Sequence, residues 1–262
     1  MSGHTFVITS GKGGVGKTTT TANLGCALAK LGRQVALVDA DIGLRNLDLV
    51  LGLEKRIVFD VVDVIEGRCQ PRQALIRDKR LEGLYLLPAA QTRDKQAVSE
   101  AQMRSLVQML GREFDVVLVD CPAGIEHGFR NAIAGADEAI VVTTPEVSAI
   151  RDADRILGML GNRRARLLVN RVRFEMVKTG DMLSVEDVAE ILGREVIGVV
   201  PDDEEIIDTT NRGSPLALDG GRRLARTYDA IARRLVADGD LPPDPHEDGL
   251  WGRLRRLIVS RA

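Results

Sequence analysis

Residues 10–19, which read SGKGGVGKTT, have the composition and spacing of a phosphate-binding loop. They follow residues 5–9, a short apolar run that predicts a buried strand. Glycines allow backbone N–H groups to approach a phosphate at the positive end of the next helix, and a lysine adds a full charge beside it. The chemistry expected of this segment is the binding of a nucleotide phosphate.

The loop fits two different nucleotide-binding patterns. Glycines at positions 11, 13 and 16 match the G-x-G-x-x-G of dinucleotide-binding folds, and Asp39 lies 23 residues after the last of them, where a ribose-binding acid is expected. The same loop with Lys17 and Thr18 matches the G-x-x-x-x-G-K-[ST] of nucleoside triphosphatases. A dinucleotide-dependent oxidoreductase and a purely structural glycine turn are therefore the alternatives to a triphosphatase.

Three polar residues favour the triphosphatase. A dinucleotide pyrophosphate needs no ammonium group at its rim, whereas Lys17 places one beside the expected phosphate site. The hydroxyl of Thr18 is in the position that ligands Mg²⁺. Asp120 ends an apolar run at residues 116–119, as expected of a carboxylate that holds Mg²⁺ in a triphosphatase.

Lys12 is an additional lysine inside the loop. It is either a solvated surface charge or a phosphate contact made across a dimer interface. In the second case it would act as arginine fingers do elsewhere, at a gain of roughly 10³ to 10⁵ in rate.

Short apolar runs alternate with segments of helical period, which predicts an α/β fold with a mostly parallel, twisted sheet flanked by helices on both faces, the P-loop NTPase fold. Strands are expected at residues 5–9, 34–39, 84–87, 115–120, 138–143, 165–170 and 195–200. Helices are expected at residues 17–31, 99–110, 148–160, 184–192 and 222–236, with Ser99, Ser148 and Ser184 as candidate N-caps. Residues 1–240 are predicted to form one ATPase domain, and the proline-rich residues 241–249 a linker.

Composition excludes several other classes. Only 3% of the residues are aromatic, which argues against a stacking platform for single-stranded nucleic acid. No apolar run approaches the length of a membrane span, and no signal peptide is recognisable. The three cysteines and three histidines are scattered without ligand spacing, so we expect a cytoplasmic protein without a Cys/His metal site.

The net charge of −2 is unevenly distributed, because residues 249–262 carry four arginines and no acid while the rest of the chain has a net charge of −6. On a helical wheel five apolar residues of this tail form one arc and most of its arginines lie outside it, while Val259 breaks the segregation. The residues expected to bind a membrane are Leu250, Trp251, Arg253, Leu254, Arg255, Arg256, Leu257 and Ile258. The pattern favours an amphipathic helix at residues 250–262 that lies in a lipid interface, with docking on the protein's own domain as the alternative.

The chain resembles the deviant Walker A ATPases of the MinD/ParA family, and within it the septum-site-determining branch. The resemblance rests on GKGGVGKTT at residues 11–19, DADIGLRNLDLVLGLE at 39–54, DCPAGIE at 120–126, LLPAAQTRDK at 86–95 and TTPEVSAIRDADRI at 143–156. Together with the tail, these motifs extend over essentially the whole chain. The family often has serine in place of Cys121, which leaves the backbone of that motif intact.

The resemblance implies roles for individual residues. Thr19 would contact the α-phosphate, Asp41 would orient the attacking water, Asp39 would lie near Mg²⁺ with Thr18 and Asp120, and residues 120–126 would sense the γ-phosphate. The nucleotide-binding residues would be Gly11, Gly13, Gly14, Val15, Gly16, Lys17, Thr18, Thr19, Asn170, Arg171, Pro201, Asp202 and Asp203, the last five at the adenine. Asp39 and Asp41 could alternatively cap a turn. No N-K-x-D guanine motif is present, so ATP is favoured over GTP.

The function implied by the resemblance is that of a Mg-dependent ATPase that dimerises on ATP, binds the cytoplasmic face of the inner membrane and places the division septum. Its partners would be the division inhibitor MinC, a topological factor such as MinE, and anionic phospholipid. Two alternatives are a ParA-type partition ATPase that binds DNA and a regulator of flagellar number. The apolar arc of the tail argues against DNA, which requires charge without tryptophan and leucine.

Overall fold

The computed structural model describes residues 3–94, 97–125, 127–219 and 221–236. The predicted linker and membrane-binding tail lie outside the described residues, as do Lys95 and Glu126 of two motifs. None of the described helices combines the length and apolar character that a bilayer-spanning segment needs.

The described part of the chain forms one eight-stranded sheet, in the order β3-β4-β2-β5-β1-β6-β7-β8. All neighbouring strands are parallel except β3, which runs antiparallel to β4 at one edge. The strands are β1 (His4–Thr9), β2 (Val35–Asp39), β3 (Ile76–Arg77), β4 (Leu84–Leu87), β5 (Val116–Asp120), β6 (Glu138–Thr143), β7 (Arg164–Val172) and β8 (Val196–Pro201). The central strands are buried throughout, which explains why they appear in the sequence as continuous apolar runs.

Helices cover both faces of the sheet. The described α-helices are α1 (Lys17–Lys30), α2 (Leu47–Leu51), α3 (Val61–Ile65), α4 (Pro71–Ala74), α5 (Glu100–Leu110), α6 (His127–Ile133), α7 (Val147–Leu160), α8 (Phe174–Thr179), α9 (Val185–Leu192), α10 (Glu204–Asn211) and α11 (Arg223–Val236). Successive residues of each strand point to opposite faces, so Phe6 and Ile8 join the core under α1 and α11 while Val7 joins the core under α5 and α7.

The predicted fold and its seven strands are confirmed, with ends that move by one or two residues. The sequence did not predict β3 or the helices α2, α3, α4, α6 and α8, which have at most seven residues and are too short for a hydrophobic period to mark them. It also did not predict α10, whose only apolar residues are Ile206 and Ile207. Ser99 and Ser184 cap α5 and α9 as predicted. Ser148 does not cap α7, because that helix begins at Val147 with Glu146 in the N-cap position.

A buried ion pair joins β6 to β7 at the amino end of the sheet. Glu138 is 1% exposed and its carboxylate accepts a hydrogen bond from Nε of Arg166, which is also buried. Arg164 and His4 lie within 3.6 and 3.8 Å of the second carboxylate oxygen. When one member of a buried ion pair is removed, the other charge is left unpaired in a poorly solvated environment, which destabilises the fold.

We therefore expect Glu138→Ala to lower the free energy of unfolding by about 3 kcal/mol, measured by urea denaturation. The matched control is Glu82→Ala, because Glu82 forms an ion pair with Arg77 but is 88% exposed, and this change should cost less than about 1 kcal/mol. Equal effects of the two substitutions would contradict the role assigned to Glu138.

Candidate functional site

The carboxyl ends of three adjacent strands bring the predicted catalytic residues together. Strand β5 lies between β1 and β2, and the register places Asp39 directly opposite Asp120. Residue Ile8, just before the phosphate loop, is opposite Asp120 on the other side. Ligands of open parallel sheets bind at this edge, so the topology alone assembles a polar site from distant segments.

The loop after β1 turns sharply into α1. Gly11, Gly13, Gly14, Val15 and Gly16 form it, and Gly16 is the N-cap of α1 with φ of +98°, a conformation that other residues rarely adopt. No side chain caps α1, so its first N–H groups remain directed at the place where a phosphate would lie.

Asp120 is surrounded by residues of α1. Its carboxylate accepts hydrogen bonds from the hydroxyls of Thr18 and Thr21, the latter at 3.0 Å, and it is attracted by the charge of Lys17, which is 8% exposed. Burial nevertheless raises the pKa of Asp120, and the charge of Asp41 adds to the effect. The structure thus gathers Lys17, Thr18 and Asp120, three residues that the sequence assigned to phosphate and metal.

Asp39 organises the segment that follows β2. Its oxygens accept hydrogen bonds from the backbone N–H groups of Asp41 at 2.9 Å, Asn46 at 3.1 Å and Leu47 at 3.1 Å. Asp39 therefore fixes the start of α2, which is the turn-capping role considered as the alternative to metal binding. The two roles are compatible, since each carboxylate oxygen has further lone pairs.

The two strand-end carboxylates repel each other. Burial raises the pKa of Asp39, and the charge of Asp120 raises it further, although the backbone N–H groups of Asp41 and Leu47 oppose the shift. Asp41 adds its own negative charge to both carboxylates. The site concentrates negative charge that a cation would neutralise.

Lys12 lies against its own chain. Its Nζ is 3.4 Å from Oγ of Ser148 and 3.7 Å from a carboxylate oxygen of Glu146, both at the start of α7. The side chain is 46% exposed, so these contacts are weakly held. Sequence reasoning missed both contacts because they join residues more than 130 positions apart.

Asn170 and the residues after β8 border the loop on the other side. Nδ2 of Asn170 donates to the carbonyl of Val15 at 2.7 Å, while its Oδ1, also buried, has no hydrogen-bond partner in the described structure. The register pairs Val172 with Pro201, which brings Asn170 and Arg171 to the same edge as Pro201, Asp202 and Asp203. A buried acceptor without a donor fits a site completed by a ligand such as an adenine amino group.

Residues 120–125 are the described part of the segment that the resemblance expects to sense the γ-phosphate, and they begin at the last residue of β5. Cys121 in this segment is buried, and burial raises the pKa of its thiol to about 12, so it is an unreactive packing residue. Thr19 is the third residue of α1. Thr21 is a contact of Asp120 that the sequence analysis missed, although its spacing of four from Lys17 on one helix face was a usable signal.

Comparison with known proteins agrees with this geometry. Residues 6–216 match the family model of the CobQ/CobB/MinD/ParA nucleotide binding domain. The septum site-determining protein MinD of Bacillus subtilis is 56% identical over 241 residues, covering 90% of each chain.

Solved structures agree as well. MinD in the MinC:MinD cell division protein complex of Aquifex aeolicus is 49% identical with a TM-score of 0.81, covering 92% of this chain and 98% of that one. The septum site-determining protein MinD of Pyrococcus horikoshii OT3, complexed with Mg-ADP, is 28% identical with a TM-score of 0.81, covering 89% and 96%. These likenesses confirm the predicted P-loop NTPase fold, the ATPase family and the division-site class of function, and the chain belongs to the MinD family of septum site-determining proteins.

Proposed function

We propose that this chain is a Mg-dependent ATPase that hydrolyses ATP to ADP and phosphate and uses the cycle to place the division septum. The observation that carries the proposal is the buried contact of Asp120 with the first turn of α1, where Lys17 and Thr18 follow the phosphate loop. Hard oxygen donors beside a lysine form the donor set expected for a magnesium-bound triphosphate. The Mg-ADP complex of the Pyrococcus relative supports the same ligand.

The residues at the start of α1 and at the strand ends each have a role in the proposal. On α1, Lys17 would bind the β- and γ-phosphates, Thr19 would bind the α-phosphate, and Thr18 would ligand Mg²⁺. At the strand ends, Asp39 and Asp120 would hold Mg²⁺ together with Thr18. Bound Mg²⁺ would neutralise charge that develops on the phosphates. Asp41 orients the attacking water, since it lies just beyond Asp39 and its charge reaches both strand-end carboxylates.

The adenine is held at the carboxyl ends of β7 and β8. Within the described residues Oδ1 of Asn170 has no donor, and the same edge is lined by Arg171, Pro201, Asp202 and Asp203. Arg173 forms an ion pair with Asp202 at 2.7 Å, which steadies the turn after β8. Ligand binding in this place would satisfy an oxygen that the protein leaves buried.

Lys12 acts in trans in the proposal. Two chains join around ATP, and each Lys12 leaves Glu146 and Ser148 of its own chain to reach the nucleotide of its partner. A surface ion pair contributes less than about 1 kcal/mol, so little free energy is lost when Lys12 leaves Glu146. The partner's triphosphate, which carries more negative charge than one carboxylate, would replace that contact.

The tail would convert dimerisation into membrane attachment on the cytoplasmic face of the inner membrane. Each arginine contributes on the order of 1 kcal/mol near an anionic leaflet, so one tail binds weakly and two held together bind through effective concentration, tighter by a factor of roughly 10² to 10⁴. The Aquifex complex supports MinC as the partner that the membrane-bound dimer recruits. A topological factor such as MinE would stimulate hydrolysis and release.

One prediction concerns the repulsion between Asp39 and Asp120 at the strand ends. It applies to the protein free of nucleotide, with EDTA present to remove divalent cations. A carboxyl whose pKa is raised by folding stabilises the chain at low pH, and that contribution is lost as the pH rises through the folded pKa. Asp120→Asn should therefore raise the free energy of unfolding by about 1–3 kcal/mol at pH 8, and the gain should disappear at pH 4. Urea denaturation at both pH values measures it, with the exposed Asp154→Asn as the control. A gain independent of pH would refute the explanation.

The second prediction concerns Lys12. Lys12→Ala should abolish ATP-dependent dimerisation, measured by light scattering, and reduce hydrolysis by at least about 10³-fold. It should leave ADP affinity within a few-fold, because in the proposal Lys12 contacts the partner's nucleotide rather than its own. Lys178→Ala is the control, since this exposed lysine forms an ion pair with Glu175 on α8 and should behave as the wild type. A dimeric, fully active Lys12→Ala chain would exclude action in trans.

The third prediction uses Trp251, the only tryptophan, which lies in the tail. Its fluorescence should shift to the blue with anionic phospholipid vesicles and ATP, and much less with ADP or with neutral vesicles. Leu254→Glu should remove the shift by placing a charge in the apolar arc. A larger shift with double-stranded DNA than with vesicles would favour the partition ATPase instead.

A further inference from the structure

The guanidinium of Arg80 joins three segments that are far apart in the sequence. Asp78, which is 1% exposed, holds it through two hydrogen bonds, from Nε to Oδ1 at 3.0 Å and from Nη2 to Oδ2 at 2.6 Å. Nη1 donates to the carbonyl of Gly213 at 2.9 Å, and Nη2 donates to the carbonyl of Leu51. Arg80 thus ties the end of α2 to the residues that follow α10.

The two carbonyls belong to backbones in direct contact. Gly52 and Gly213 both have positive φ, +65° and +61°. A Cβ on Gly52 would lie 2.5 Å from the carbonyl oxygen of Gly213, and one on Gly213 would lie 2.6 Å from Cα of Gly52. Movement of one of these chain segments must therefore displace the other or break the contacts of Arg80.

The opposite ends of α2 and α10 lie at the candidate nucleotide site. Asp39, the strand-end carboxylate, accepts the N–H groups of Asn46 and Leu47 where α2 begins. Asp203, at the candidate adenine edge, caps α10 by accepting the N–H of Glu205 at 2.9 Å. One helix therefore starts on the metal side and the other on the base side, and their far ends meet at Arg80.

We propose that Arg80 is a positioning residue that transmits occupation of the base site, through α10 and α2, to Asp39 on the metal side. The inference rests on the proposed nucleotide site and adds to it a link between adenine binding and the carboxylate edge. Arginine is required because a planar fork can bind a carboxylate and two carbonyls together, whereas a lysine offers one charged point.

The test compares amide hydrogen exchange of residues 47–51 with saturating Mg-ADP and with saturating Mg-pyrophosphate, which has no base. In the wild type, ADP should slow exchange about fivefold more than pyrophosphate. In Arg80→Lys that difference should fall below about twofold. Arg77→Lys is the control, because Arg77 lies on the same sheet edge, is exposed and forms an ion pair with Glu82, and it should retain the wild-type difference.

A purely structural role of Arg80 would raise exchange equally with both ligands and preserve their ratio. An Arg80→Lys chain that keeps the wild-type ratio, or a wild type that binds both ligands without a difference, overturns the proposal. A wild type that binds neither ligand rejects the proposed function itself. If Arg80→Lys does not fold, Asp78→Asn provides the second variant, because it weakens the anchor of the guanidinium and should reduce the ratio in the same direction.

Discussion

Two buried aspartates that end neighbouring parallel strands face each other, and their carboxylates repel. The rest of the site is arranged around that repulsion. The parallel register of β2 and β5 places Asp39 directly opposite Asp120. The protein offsets the cost with the hydroxyls of Thr18 and Thr21, the charge of Lys17 and several backbone N–H groups. These groups compensate only partly, since both carboxyls keep raised pKa values. A cation bound together with phosphate would neutralise the negative charge that remains at this edge.

The same contacts give a bound nucleotide a route by which it would influence distant parts of the molecule. Asp39 holds the start of α2, and Arg80 holds its end against the segment after α10. On the other side of the loop, Lys12 touches the start of α7. The Lys12 contact is weakly held, so a ligand of high charge could release it, whereas the contacts of Asp39 and Arg80 connect their segments firmly. The proposed membrane switch would combine such a releasable contact with firm links around a rigid sheet.

The sequence predicted the sheet and the phosphate loop because both have strong local signals. Buried parallel strands appear as apolar runs, and the loop combines glycines, lysine and threonine in one continuous segment. Contacts between segments had no such signal. The cis contact of Lys12 with Glu146, the clamp of Arg80 and the bond from Asn170 to the loop carbonyl all depend on tertiary packing. The five-residue helix α2 begins where Asp39 accepts the N–H groups of Asn46 and Leu47, and no hydrophobic period in five residues could reveal that contact.

A calorimetric titration of the wild-type protein with ADP at pH 8, with Mg²⁺ and with EDTA, tests most directly whether the edge formed by the phosphate loop, Asp39 and Asp120 is a magnesium-nucleotide site. ADP should bind at least about tenfold tighter with Mg²⁺, because the cation would neutralise the facing carboxylates and the phosphates together. Equal affinity in the two conditions would contradict it.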